Sequence, residues 1–123
     1  MTAASLVIAI VDDDDSVRRA LRRLMVSLSF RPVDYSSGEA FLSSLETCVP
    51  ACVLLDLHMP GRNGLQVLEA MRQRGIKVPA VVITANMQTE MRDQCMEAGA
   101  VAYLNKPLER DLVLSVIQRA TMA

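Results

Sequence analysis

Short apolar runs rich in Val and Ile alternate along the chain with longer stretches in which apolar residues recur every three or four positions. Such alternation predicts repeated βα units. The candidate strands are Leu6 to Val11, Pro32 to Tyr35, Ala51 to Leu55, Ala80 to Thr84 and Val101 to Leu104. Between the first two, Val17, Leu21, Leu24, Met25 and Leu28 fall at spacings of four, three, one and three. These spacings stripe one side of a helix, which Asp14, Asp15 or Ser16 would cap. Phe41, Leu42 and Leu45 mark a second, shorter helix, and Leu65, Leu68 and Met71 a third that stops at Gly75. Met91, Cys95 and Ala98 give a fourth, closed by Gly99. Leu112, Val116 and Ile117 mark the inner face of a last helix running from about Glu109 to the end.

The first, third and fourth strands are apolar on both faces, as strands covered by helices on either side should be. A parallel sheet follows. Right-handed crossovers and short loops favour a doubly wound, flavodoxin-like α/β fold of five strands in the order 2-1-3-4-5, an order that periodicity alone does not fix. No linker, internal repeat or low-complexity tract divides the chain, so a single domain over residues 1–123 is expected. With 51% hydrophobic residues, that domain buries a real core without disulfides or metal staples.

Charge narrows the partners. Thirteen basic residues against fourteen acidic ones leave a net charge of −1, which offers no field for a nucleic-acid backbone or an anionic membrane. Cys48, Cys52 and Cys95 are odd in number and lack paired metal-ligand spacing, and His58 is the single histidine, so a zinc site is not indicated. Reduced cysteines suit a cytoplasmic protein. The N-terminal apolar run is six residues long and ends in acid, too short for a signal-peptide core or a membrane span.

In open parallel sheets the ligand site lies beyond the carboxyl ends of the strands. Strand one ends in Asp12 and Asp13, strand three in Asp56 and strand four in Thr84, while strand five leads to Lys106 and Pro107. Three carboxylates, a hydroxyl and an ammonium therefore converge on one edge. Carboxylates so close stay ionised only with a cation among them, and oxygen-only ligands with water access favour a hard divalent ion such as Mg²⁺. Lys106 can pair with a carboxylate or a phosphoryl oxygen, and Thr84 supplies a neutral donor. The set suits phosphoryl transfer, where catalysis is mostly positioning and charge neutralisation. No glycine-rich phosphate loop follows the first strand, and no cysteine or serine sits beside a histidine in a nucleophile motif. The nucleophile that remains is a carboxylate.

These residues resemble the receiver domains of bacterial two-component response regulators, the CheY-like superfamily. The resemblance rests on Val11-Asp12-Asp13 after strand one and Leu55-Asp56-Leu57-His58-Met59-Pro60-Gly61-x-x-Gly64 after strand three. It also rests on Ile83-Thr84-Ala85, on Ala98-Gly99-Ala100, and on Tyr103-Leu104-Asn105-Lys106-Pro107, all in order across essentially the whole chain. Gly38-Glu39-Ala40-Phe41-Leu42 is similar to receivers of the FixJ kind, which carry helix-turn-helix output domains.

The resemblance implies that Asp56 accepts a phosphoryl group from a phosphohistidine on a sensor kinase. It implies that Asp13, Asp56 and the backbone carbonyl of His58 hold Mg²⁺ or Mn²⁺, with Asp12 acting through metal-bound water. Lys106, the Thr84 hydroxyl and the Ala85 backbone N–H would bind phosphoryl oxygens, and the Lys106-Pro107 bond would be cis. Thr84 and Tyr103 match the family's switch pair: Thr84 drawn inward lets Tyr103 turn into the space, and the fourth helix, fifth strand and fifth helix become the output face. A phosphorylation-dependent homodimer and an output domain or downstream protein are the further partners implied. Such a domain signals, with slow self-dephosphorylation, and is no enzyme in the metabolic sense.

Plainer readings stand beside these. Asp14 and Asp15 are ordinary choices for a helix N-terminus. Arg18, Arg19, Arg22 and Arg23 repeat like charges at four-residue spacing and read as a solvated face, with kinase docking as the sharper alternative. The eight methionines fill core and helix gaps, although Met87 and Met91 on the fourth helix could face the output surface. A metal-dependent phosphatase with an aspartate nucleophile would want an acid two residues past Asp56, where His58 stands. A degenerate receiver that only binds partners would not need the complete acid set.

Overall fold

The computed structural model of the chain describes residues 6–122. Five strands and five helices alternate: β1 (Val7–Val11), α1 (Asp15–Ser27), β2 (Arg31–Tyr35), α2 (Gly38–Ser44), β3 (Cys52–Asp56), α3 (Gly64–Gln73), β4 (Ala80–Thr84), α4 (Thr89–Glu97), β5 (Ala102–Asn105) and α5 (Arg110–Thr121). The strands form one parallel sheet in the order β2-β1-β3-β4-β5, the flavodoxin-like order expected. The expected strand limits are met to within one residue. Ala123, to which the last helix was expected to run, lies outside the described residues.

Local chemistry explains the helix starts. Asp14 caps α1 by accepting from the backbone N–H groups of Ser16 and Val17, and Asn63 opens α3 in a reciprocal capping box with Gln66. Glu109 does the same for α5 without being part of it. The N-cap of α4, Gln88, makes no side-chain capping bond, and Cys95 is that helix's one fully buried residue.

The sheet separates two clusters of buried side chains. On one side Ala9, Val11, Val53, Leu55 and Val82 pack with Phe41, Leu42, Val67, Leu68, Met71, Cys95 and Tyr103. On the other, Ile8, Ile10, Leu54, Val81 and Ile83 pack with Leu21, Met25, Leu28, Val113 and Ile117. Alternate residues of β1, β3 and β4 thus serve opposite faces, which is why those strands read as continuously apolar.

Two expectations need correcting. Leu112 was placed on the inner face of α5 but is 47% exposed, and Val113 and Ile117 are the buried pair. Apolar residues at 112, 113, 114, 116 and 117 surround much of that helix, so periodicity leaves its orientation open by one position. Met87 precedes α4 rather than lying on it and is exposed, whereas Met91 packs against the first cluster.

The close fit of α3 matters most for the site. Gly64 donates its N–H to the Leu57 carbonyl at 2.9 Å. A Cβ at this position would lie 2.8 Å from the Asp56 carbonyl oxygen and 2.9 Å from Leu57 Cα. Only glycine lets the helix start so near the strand that ends in Asp56.

Candidate functional site

β1, β3 and β4 are neighbours in the middle of the sheet, so the residues that end them share one edge. Asp12 follows β1 and is buried; Asp56 is the last residue of β3 and is 4% exposed; Asp13 is exposed. Carboxylate oxygens of the three lie within 4.8 Å of one another. Two buried anions beside one that reaches solvent are an all-oxygen donor set of the kind that holds a hard divalent cation, with a path for the ion and its waters.

Lys106 joins the set from the loop after β5. Its Nζ donates to Asp12 Oδ2 at 2.9 Å and to Asp56 Oδ1 at 3.2 Å. Burial alone would lower the Lys106 ammonium, but the hydrogen bond to Asp12 and the charges of Asp56 and Asp12 outweigh it and hold the group above its ordinary value. Burial, and then the neighbouring Asp12 charge, push the Asp56 carboxyl up against the pull of Lys106. The Lys106 backbone N–H donates to the Thr84 carbonyl at 2.8 Å, and the Lys106-Pro107 bond is cis, as the resemblance implied.

Asp12 is held at every polar atom. Its N–H donates to the Tyr35 carbonyl at 3.2 Å and its Oδ1 accepts the Asp14 N–H at 2.9 Å. Its own carbonyl accepts from Arg18 Nη1 at 2.7 Å. Asp14 spends its carboxylate on the start of α1, where the hydrogen bond from the Ser16 hydroxyl and then those from the Val17 and Ser16 backbone N–H groups keep it below the ordinary carboxylate range; Asp15 opens the helix. Of the four aspartates, Asp14 caps α1 and Asp15 begins it, while Asp12 and Asp13 cluster with Asp56.

The neighbouring positions sit less tightly. Thr84 ends β4, fully buried, and its hydroxyl donates to the Asn86 carbonyl at 3.2 Å while accepting the Asn86 N–H at 3.1 Å. Ala85, Asn86 and His58 are exposed on the loops that rim the carboxylates. Tyr103, the other member of the expected switch pair, lies inward at 6% exposure in the first cluster. Its hydroxyl has no hydrogen-bond partner among the described residues, and burial raises the phenol above its usual range.

The solvated-face reading of the arginines holds for Arg19 and Arg23, which are exposed, and fails for Arg18. The Arg18 side chain is only 13% exposed and pairs with Asp15 and with Asp34 of β2, which Arg22 also meets. The signal was present as an acidic residue at the end of the strand beside β1, but apolar periodicity does not register it. Beside Lys106 a cavity of about 520 Å³ opens between α1 and the loop after β5, lined by Val17, Leu21, Leu24, Pro107 and Leu108 among others. Arg19 and Arg23 belong to the same helix.

A family model described as the response regulator receiver domain matches residues 8–118. The DNA-binding transcriptional regulator NtrC of Klebsiella pneumoniae is 33% identical over 111 residues, covering 90% of this chain and 24% of that protein. The transcriptional regulatory protein FixJ of Rhizobium meliloti is 32% identical over 112 residues, covering 91% of this chain and 55% of that one. The crystal structure of FixJ-N superposes with a TM-score of 0.90 at 30% identity, covering 99% of this chain and 96% of that one. The chain spans about a quarter to about half the length of these curated relatives.

Proposed function

Since the chain belongs to the receiver domains of two-component response regulators, we propose that Asp56 is its phosphoacceptor and that residues 1–123 act as one receiver. The observation that carries this is the bridge of Lys106 between Asp12 and Asp56 beside Asp13, with the three carboxylates within 4.8 Å. An Asp56 carboxylate oxygen attacks the phosphorus of a phosphohistidine on a sensor kinase. The P–N bond breaks as the P–O bond forms, its electron pair returns to that ring nitrogen, and a phosphohistidine protonated on its other ring nitrogen leaves as neutral imidazole.

Asp12, Asp13, Asp56 and the His58 carbonyl would hold Mg²⁺ or Mn²⁺, which neutralises charge on the transferring group. Lys106 is within reach of Asp56 and would contact one phosphoryl oxygen; the Thr84 hydroxyl and the Ala85 N–H would take others. To do so Thr84 exchanges its bonds to Asn86 for one to the phosphoryl group, and this exchange moves the loop that leads into α4. Tyr103, already inward, then follows the loop, and the face of α4, β5 and α5 carries the signal to an output domain, a downstream protein or a second copy. The apolar cavity beside Lys106, flanked by the helix bearing Arg19 and Arg23, suits the sensor kinase. Among the described residues no helix is long and apolar enough to cross a membrane, and the three free cysteines suit the cytoplasm. The metal-dependent phosphatase is not favoured by the family match.

The test is labelling with a small-molecule acyl phosphate. The expected result is one acyl phosphate per chain, sensitive to hydroxylamine, formed with Mg²⁺ and lost with a chelator. Labelling indifferent to chelation would overturn the metal-assisted reading, and no labelling under either condition would favour the partner-binding degenerate receiver. His58→Ala and Asn86→Ala, both at the exposed rim, are each expected to change the lifetime of the phosphate by about 3-fold to 10-fold, equivalent to about 1 kcal/mol in the barrier to attack by water. Decay at the wild-type rate in both variants would remove that role.

A further inference from the structure

Arg18 makes a contact that a simple surface ion pair does not need. Besides pairing with Asp15 and donating from Nε to Asp34 Oδ2 at 3.1 Å, it donates from Nη1 to the backbone carbonyl of Asp12 at 2.7 Å. The other Asp34 oxygen accepts from Arg22 Nη1 at 2.6 Å, so the carboxylate that anchors Arg18 is itself fixed. The residue after Asp34 is Tyr35, whose carbonyl accepts the Asp12 N–H at 3.2 Å. The end of β2 therefore grips both poles of Asp12, directly at its N–H and through Arg18 at its carbonyl.

We propose that Arg18 is a positioning residue for the divalent-cation site: by fixing the carbonyl that joins Asp12 to Asp13, it orients the peptide from which both carboxylates project. This rests on the reading of Asp12, Asp13 and Asp56 as metal ligands. The peptide between two α-carbons is a rigid plane, so holding its carbonyl restrains ψ of Asp12 and φ of Asp13, the backbone torsions that set where the two side chains leave the chain. The planar guanidinium presents donors on different nitrogens in fixed geometry, which lets one side chain span Asp12 and Asp34. A lysine has one nitrogen and cannot hold both in that arrangement. Partners that orient a ligand from behind typically change metal affinity by about 10-fold to 100-fold when removed.

Mg²⁺ binding to the unphosphorylated protein, measured by calorimetry, separates this role from a structural one. Arg18→Met is expected to raise the Mg²⁺ dissociation constant about tenfold, and Arg18→Lys to raise it nearly as much. Arg23→Met, which removes an exposed charge of the same helix that pairs with neither Asp12 nor Asp34, should stay within about twofold of wild type. At saturating Mg²⁺ the labelling rate of the Arg18 variants returns toward wild type. A wild-type dissociation constant in the Arg18 variants, with only a lower Tm in chelator, would overturn the proposal and leave Arg18 a structural tie. Arg18→Lys keeps the charge and most of the stem, so it reports should Arg18→Met fail to fold. Absence of Mg²⁺ binding by the wild type would instead overturn the metal reading on which the proposal rests.

Discussion

Replacing Asp56 by asparagine is expected to cut acyl-phosphate labelling about 100-fold or more while making the protein more stable at neutral pH. The first effect follows from chemistry: an amide oxygen is a poor nucleophile, and in the proposed site the neighbouring carboxylates of Asp12 and Asp13 would be held by the metal rather than free to replace it. The second follows from the environment of Asp56, whose carboxyl is pushed above its ordinary value of 3.8 by burial and by the Asp12 charge. A carboxyl raised on folding contributes stability below its unfolded value and loses it as pH rises through the folded one. At pH 7 the ionised Asp56 is therefore a net cost in the absence of a cation, and the isosteric amide removes it. Tm should rise by a few degrees, about what 1 kcal/mol does in a domain of this size. The gain should fade as pH falls toward 3.8, and Mg²⁺ should narrow the difference by stabilising the wild type alone. Wild-type labelling of the variant would remove Asp56 as acceptor; a variant less stable than wild type at pH 7 would overturn the electrostatic account.

Gly64→Ala is expected to cost about 3 kcal/mol, near the upper end for forcing a methyl into a packed site, and to lower Tm by roughly 10 °C. The added Cβ would meet the Asp56 carbonyl oxygen at 2.8 Å and Leu57 Cα at 2.9 Å. Neither can yield cheaply, because Asp56 is paired with Ile83 in the sheet and the Leu57 N–H donates to the Ile83 carbonyl at 2.9 Å. Relief must come from moving α3 outward, which breaks the Gly64 N–H bond to Leu57, or from shifting the strand end that carries Asp56. Labelling of the folded fraction should fall as well, since a misplacement of about 1 Å in a reacting group can cost about 100-fold in rate. Gly61→Ala is the comparison: its φ is +75° but nothing lies within 4 Å, so the cost is about 1 kcal/mol of backbone strain alone. Thermal melts showing equal losses for the two would refute the steric argument.

Much of this molecule can be read from its sequence because its central strands are covered on both faces and so spell out their limits in unbroken apolar runs. Asp12, Asp13, Asp56 and Lys106 were legible for a related reason: in a parallel sheet, whatever ends the strands must share an edge. Their meeting within a few ångströms follows from topology. The face of α5 was not legible, because Leu112, Val113, Leu114, Val116 and Ile117 offer more apolar positions than the sheet covers. Arg18 was missed because the pattern that locates helices counts apolar residues, whereas its place depends on Asp34, sixteen positions away on another element. The inward Tyr103 reflects how β5 and α4 pack, which no local spacing encodes.

The two clusters on opposite sides of the sheet share no side chain, and this bears on how such a domain tolerates change. Destabilising substitutions at Val67 and at Ile117 act through separate packing environments with the sheet backbone between them, so their effects should sum rather than compound. Residues within one cluster have no such freedom, since each reshapes the space of the next. Sequence drift beneath α2, α3 and α4 is thereby insulated from drift beneath α1 and α5. A lineage could refit one flank to a new neighbour without renegotiating the other.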